Sequence, residues 1–236
     1  MNVPAPDEDF QDAFARIEAA VAEGETDLAA LGFWRLLSKV KRDPVLSSHW
    51  AEAAGRIDRV AFESRVRLRF PIWSGNAVLV GATAAGVAAV IIAVQTTSPT
   101  VAGLALVFAA ADWSASVHGL AHWLAGRAAQ IRFTSYFFDR PFPPTPGVKS
   151  DYATYLRASP EARAWMHASG AIASKIAPLA ALAFWPATVA PVWAALVIAA
   201  YTLVLIVFDV VYSIRYSDWK KVRRELRVAR GRAASR

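Results

Sequence analysis

The sequence predicts an all-α integral membrane protein with four transmembrane helices, and composition and charge distribution lead to this class. Hydrophobic residues make up 56% of the 236-residue chain and charged residues 19%, against about 45–50% and 25% in soluble domains. The charges are also segregated, since residues 72–111 and 176–208 contain no Asp, Glu, Lys or Arg. Disorder and a collagen-like fibre are excluded, and the absence of cysteine excludes a disulfide scaffold.

Four apolar runs have the roughly 20 residues that a membrane-spanning helix needs. Short connections rich in Pro, Ser and Thr separate the first run from the second and the third from the fourth, and Ser159-Pro160 precedes the third run. The predicted spans are residues 72–95, 100–126, 164–185 and 192–214, each to within a few residues.

The distribution of Lys and Arg predicts the orientation. The connections 96–99 and 186–191 carry neither residue, whereas the loop 127–163 carries several and both terminal segments are basic beside the membrane. By the positive-inside rule, both termini and the long loop are cytoplasmic. We therefore expect a multi-pass protein of the cell (plasma) membrane, and the acidic N-terminus lacks the basic and apolar start of a signal peptide.

The segments outside the spans have patterns of their own. Residues 1–70 predict three short amphipathic helices, the second beginning at Thr26, and the 216–236 tail predicts a basic surface helix. Within the cytoplasmic loop, 130–138 has the β-branched and aromatic content of a strand, and the prolines of 141–146 favour a rigid extended stretch. The net charge of +7 lies beside the spans, so the expected partner is the lipid bilayer and not a nucleic acid.

Ionisable residues within the predicted spans are candidates for function, because they are costly in a bilayer. His118 and His122 are four residues apart on one helix face, and both lie within about 14 Å of the cytoplasmic boundary by the helical rise. Asp209 and His167 lie about 9 Å and 6 Å inside the same boundary on other spans. Two imidazoles and a carboxylate suit zinc with an open fourth position. The alternative is a hydrogen-bonded polar cluster that ties the helices together.

Two further ionisable residues lie deeper. Asp112 and Lys175 are roughly 22 Å and 18 Å from the cytoplasmic boundary on different spans. Opposite charges at similar depth most simply neutralise each other, so a structural ion pair between these two residues is predicted. A proton path through them is the alternative interpretation.

Several segments together resemble the site-2 protease-like intramembrane metalloproteases. The stretch 116–127 (SVHGLAHWLAGR), followed by 131–138 (IRFTSYFF), resembles the zinc-motif helix and adjoining strand of that family. The small-residue stretch 168–174 resembles its second motif, and Phe208-Asp209 matches the position of its third. The resemblance covers about residues 101–215.

This resemblance implies a zinc ion and a substrate-binding strand. The residues that it assigns to zinc are His118, His122 and Asp209, and those that it assigns to substrate binding are Ile131, Phe133, Ser135 and Ser174. The family places a second-motif asparagine where this chain has Ser174, and a glycine where this chain has Val210.

The most important departure from the family is Gly119, which occupies the position of the glutamate that acts as general base. Glycine cannot accept a proton, and loss of a general base typically costs about 10²–10⁴ in rate. His167 is the candidate replacement base.

Three hypotheses follow. The first is a metal-binding relative without ordinary peptidase activity that binds a transmembrane peptide or a membrane protein partner. The second is an active zinc hydrolase that uses an unconventional base on a transmembrane peptide or a lipid ester. The third is a structural membrane protein without metal.

Overall fold

The computed structural model describes residues 6–138, 146–211 and 217–234. It is 78% helical, and four of its helices are long and apolar enough to cross a membrane. The prediction of a predominantly helical membrane protein is confirmed at this level, whereas the side on which the termini lie stays a prediction. Most of the proline stretch and the predicted end of the fourth span, 212–214, lie outside the described residues.

The described residues form ten α-helices and three short strands. The helices are α1 (Pro6–Ala22), α2 (Phe33–Val40), α3 (Pro44–His49), α4 (Ala51–Arg65), α5 (Ile72–Gln95), α6 (Pro99–Ala128), α7 (Tyr152–Arg157), α8 (Pro160–Ala183), α9 (Val192–Val211) and α10 (Asp218–Ala234). The strands are β1 (Arg69–Pro71), β2 (Phe133–Phe138) and β3 (Pro146–Ser150). The four predicted spans correspond to α5, α6, α8 and α9, and the basic tail forms α10, whereas four helices and not three precede the first span.

The chain divides into two compact units, which we call the helix–sheet unit and the membrane unit. The helix–sheet unit contains the described residues up to Pro71, Gln130–Pro160, and those from Arg227 onward. The membrane unit contains Ile72–Ala129 and Glu161–Leu226. Most of the predicted 127–163 loop therefore belongs with the N-terminal helices, because its strand and its short helix α7 pack against them.

The N-terminal helices surround a small apolar core. Phe14, Phe33 and Ile57 are buried in it together with Leu156 of α7. The second helix begins at Phe33 and not at the predicted Thr26. Residues 26–32 form turns, in which the Asp27 carboxylate accepts from the backbone N–H groups of Ala29 and Ala30.

The predicted strand is the central strand of a three-stranded antiparallel sheet. β2 pairs with β1 on one side and with β3 on the other, so that Ser135 lies opposite both Pro71 and Lys149. Ile131, just before the strand, and Phe133 are buried. Both edges of β2 are already paired at residues 135–137, so a substrate strand could not add there without displacing β1 or β3. The substrate-binding role of this strand stays a prediction.

The membrane unit is organised by close contact between small residues and large ones. A Cβ at Gly86 of α5 would lie 2.3 Å from Nε1 of Trp113 on α6, so glycine is required for this approach. The Trp113 indole donates to the Thr83 carbonyl, and the Ser116 and Thr83 hydroxyl oxygens lie 3.0 Å apart. Helices α5 and α6 are thereby joined by packing and by hydrogen bonds.

The helix–sheet unit contains a buried ion pair between α4 and β3. Nζ of Lys149 lies 2.5 Å from Oδ2 of Asp58, whose side chain is 7% exposed. Burial raises the pKa of the Asp58 carboxyl, although the ammonium of Lys149 acts in the opposite direction. The buried carboxylate therefore depends on Lys149 for compensation.

Replacing Lys149 by Met should destabilise the protein at neutral pH by about 3 kcal/mol, because it leaves a buried carboxylate without its counter-charge. In the variant the buried Asp58 carboxyl has a raised pKa, so protonation of Asp58 favours the folded state. The loss in free energy of unfolding should therefore become smaller as the pH falls and Asp58 becomes protonated. Thermal unfolding of the full chain as a function of pH measures this. The double variant Asp58→Asn, Lys149→Met should recover most of the loss, and strictly additive losses would contradict the pairing.

Candidate metal centre

The predicted histidine pair lies one helical turn apart on α6, as its spacing requires. Nε2 of His118 and Nε2 of His122 are 3.2 Å apart. The His122 side chain is 9% exposed, whereas that of His118 is 40% exposed. One ring is therefore enclosed by protein, and the other borders an open side of the site.

The protonation of His122 is set by helix α8. Its Nδ1 lies 2.6 Å from the carbonyl oxygen of Met166. A carbonyl can only accept, so Nδ1 carries a proton. In the neutral ring Nε2 then has its lone pair directed into the site. This contact is the outer hydrogen bond that metal-binding histidines commonly make, and no sequence pattern identified Met166 as its acceptor.

The carboxylate beside the histidines is Asp218, at the first position of α10. Its Oδ2 lies 3.1 Å from Nε2 of His122 and 3.5 Å from Nε2 of His118. The predicted third ligand, Asp209, instead contacts Lys175 and Trp219. The difference arises because helix α10 returns its first turn to the histidines, whereas the prediction considered only carboxylates within the spans.

The three-atom geometry fits a tetrahedral zinc site. Zinc ligands at about 2.0–2.1 Å in a tetrahedron lie about 3.3 Å from one another. The observed separations of 3.1, 3.2 and 3.5 Å fall around this value. Among the described residues, His118, His122 and Asp218 form the group that could hold a metal ion.

Space beside the donor atoms is provided by Gly170 of α8. A Cβ at this position would lie 2.3 Å from Nε2 of His122, closer than any side chain can approach. At the preceding residue, the Ser169 hydroxyl lies 3.1 Å from the Ala121 carbonyl oxygen and so joins α8 to α6. The small residues of 168–174 thus allow α8 to lie directly against the His122 ring.

A buried ion pair holds helix α10 against α8. Nε of Arg163 lies 2.7 Å from Oε2 of Glu225, and both side chains are fully buried. Val222, one turn before Glu225, packs with Ala164 and Ala168 of α8. Because Asp218 and Glu225 are two turns apart on the same helix, this contact also fixes the position of the Asp218 carboxylate.

The second oxygen of Asp218 has its own neighbours. Oδ1 lies 2.9 Å from Nζ of Lys221 and 4.0 Å from Nδ1 of His167. Burial alone would raise the pKa of the Asp218 carboxyl, but hydrogen bonding to His122 and the positive charge of Lys221 hold it below its ordinary value. Asp218 is therefore ionised at neutral pH and available as a ligand. His167, the predicted base, lies at the edge of the cluster.

The predicted pairing of Asp112 with Lys175 is not found. Lys175 forms its ion pair with Asp209, whose Oδ2 also accepts a 3.2 Å hydrogen bond from the Trp219 indole. Asp112 instead lies against Gly86 of α5. Depth along a helix does not determine which way a side chain points, and Asp112 and Lys175 face different neighbours.

The remaining predicted site residues are not brought to the histidines by any described contact. Ser174 is buried, and its hydroxyl contacts the Ala171 carbonyl and the Lys175 ammonium. The Ser174 carbonyl accepts from the Ser114 hydroxyl at 2.9 Å. The predicted substrate-binding residues Ile131, Phe133 and Ser135 belong to the helix–sheet unit described above.

Comparison of the chain with models of protein families, with curated proteins and with solved structures finds no match.

Replacing Gly170 by Ala should strongly reduce the metal that the purified protein retains, because the added methyl group displaces the His122 ring. Metal content per chain, measured by elemental analysis, tests this. Gly81→Ala on α5 is the matched control, since a Cβ there meets nothing within 4 Å and alanine favours a helix. Equal metal content in both variants would show that this packing does not support the site.

Proposed function

We propose that this chain is a site-2 protease-like integral membrane protein that binds zinc through His118, His122 and Asp218 and lacks ordinary peptidase activity. The observation that carries the proposal is the convergence of three donor atoms on one point. With Nδ1 of His122 bonded to the Met166 carbonyl, Nε2 faces a carboxylate oxygen at 3.1 Å. Either a second proton on the imidazole or a metal ion fills this position, and zinc suits a donor set of imidazole and carboxylate.

The proposal changes the family-derived ligand set at one position. Asp218 takes the place of Asp209, while the two histidines keep the roles that the resemblance gives them. When bound, zinc would supply a Lewis acid able to polarise a carbonyl group. Asp218 contributes one oxygen to the metal and keeps the other for Lys221, which orients the carboxylate.

Gly119 supports the absence of ordinary peptidase activity, because this position offers no proton acceptor. In this proposal the metal centre binds a transmembrane peptide or a membrane protein partner instead of cleaving it. A second candidate function, an active zinc hydrolase, is favoured by His167, whose Nδ1 lies 4.0 Å from Asp218. In that case His167 would accept the proton that the family's glutamate accepts.

The metal site predicts a specific pattern of loss among single variants. Purified wild-type protein should contain about one zinc per chain, and His118→Ala and Asp218→Asn should lose it. Asp209→Asn should retain the metal, because Asp209 contacts Lys175 and Trp219. His49→Ala removes the histidine that lies outside the cluster and is the matched control. Loss of zinc in Asp209→Asn but not in Asp218→Asn would show that the ligands are His118, His122 and Asp209, as the sequence predicts. Absence of metal from every protein, wild type included, would favour a structural membrane protein without metal.

Replacing Gly119 by Glu tests whether the missing base accounts for the missing peptidase activity. The variant should cleave unstructured or membrane-embedded peptides at a rate at least about 10² times that of wild type, because a general base typically contributes a factor of this size. Cleavage should disappear when His118→Ala is added. Peptide or lipid-ester turnover by wild-type protein, abolished by His167→Ala with the metal retained, would instead establish the hydrolase.

A further inference from the structure

Helix α10 has two faces of different character. Asp218, Val222 and Glu225 form the face that packs toward α8 and the histidines. On the opposite side, four basic residues are exposed: Lys220, Arg223, Arg224 and Arg227. The spacing i, i+3, i+4, i+7 places these four residues on one helix face. We call them the basic stripe.

The exposed charged residues of α10 are all cationic. The acidic residues between 210 and 236 are Asp218 and Glu225, and both belong to the packed face. Glu225 is fully buried against Arg163, and its other oxygen contacts Nε of Arg224 at 3.3 Å. No carboxylate of this helix is therefore exposed among the cations of the stripe.

The beginning of α10 lies at the end of the fourth span. The Trp219 indole donates to Oδ2 of Asp209, the last residue of that apolar segment. Lys220 and Arg223, on the first turns of α10, are thus held close to the level at which the span leaves the bilayer.

We propose that the basic stripe is a docking surface for the headgroups of anionic phospholipids. Charge complementarity selects this occupant, because basic residues placed beside a membrane span meet the negative surface of the leaflet. Arginine also presents several donors to a phosphate group. This function goes beyond the metal centre and does not depend on it, since the stripe lies on the side of α10 opposite Asp218.

The test compares two variants of the full-length protein that lose the same charge. Lys220→Gln, Arg223→Gln, Arg227→Gln removes three cations of the stripe and leaves Arg224 in its contact with Glu225. The control variant Arg35→Gln, Lys39→Gln, Arg42→Gln removes three exposed cations in and just after α2. Native mass spectrometry in detergent measures the binding of phosphatidylglycerol and of phosphatidylcholine to each protein.

Wild-type protein and the Arg35, Lys39, Arg42 variant should bind phosphatidylglycerol in preference to phosphatidylcholine, and added salt should weaken the preference. The stripe variant should bind phosphatidylglycerol roughly 100-fold more weakly. Equal affinities in the two variants, or equal binding of both lipids by wild type, would overturn the proposal. Unchanged zinc content and an unchanged thermal unfolding temperature verify that the stripe variant is folded. If the wild-type protein binds no zinc, the unfolding temperature alone is the folding control.

Discussion

The candidate metal centre depends on the buried contact between Arg163 and Glu225. Removing two charges from water costs several kcal/mol for each ion, so such a pair is tolerated only when both partners meet in good geometry. The 2.7 Å contact between fully buried side chains satisfies this condition. It requires α10 to lie against α8, and this placement brings Asp218 to the histidines. An ion pair two turns away therefore determines whether the third ligand is present.

The hydrogen bond from His122 to the Met166 carbonyl narrows what can lie at Nε2 of the same ring. In a polar cluster donors face acceptors, and each buried group is satisfied by its neighbour. Here the donor of His122 is already used at Nδ1, while Nε2 points toward another imidazole nitrogen and a carboxylate oxygen. Either a second proton or a metal ion must fill this position. Separations near those of tetrahedral zinc ligands favour the metal.

The sequence predicts part of this arrangement well, for identifiable reasons. Charge-free apolar runs locate the spans because a bilayer imposes length and composition, and the four-residue spacing alone places His118 and His122 together. Helical rise gives depth but not direction around the axis, so it does not predict that Asp209 and Lys175 pair with each other. Asp218 lies beyond the last span, where the cost of a charge in the bilayer does not single out a carboxylate. The sequence does contain one signal for Asp218, because only three acidic residues follow Glu161 and few carboxylates could therefore be the third ligand. These residues are Asp209, Asp218 and Glu225, and each has a basic partner in the structure.

Gly119 and Gly170 have opposite consequences for the same site. A side chain at Gly170 would occupy the space beside Nε2 of His122, so its absence permits the donor atoms to converge. The absence of a side chain at Gly119 removes the proton acceptor that proteolysis requires. Gly170 leaves space for a metal ion beside His122, whereas Gly119 provides no general base for cleavage. Donor atoms and packing that are present without the base are what our proposal requires, in which the site binds a metal ion and does not hydrolyse peptides.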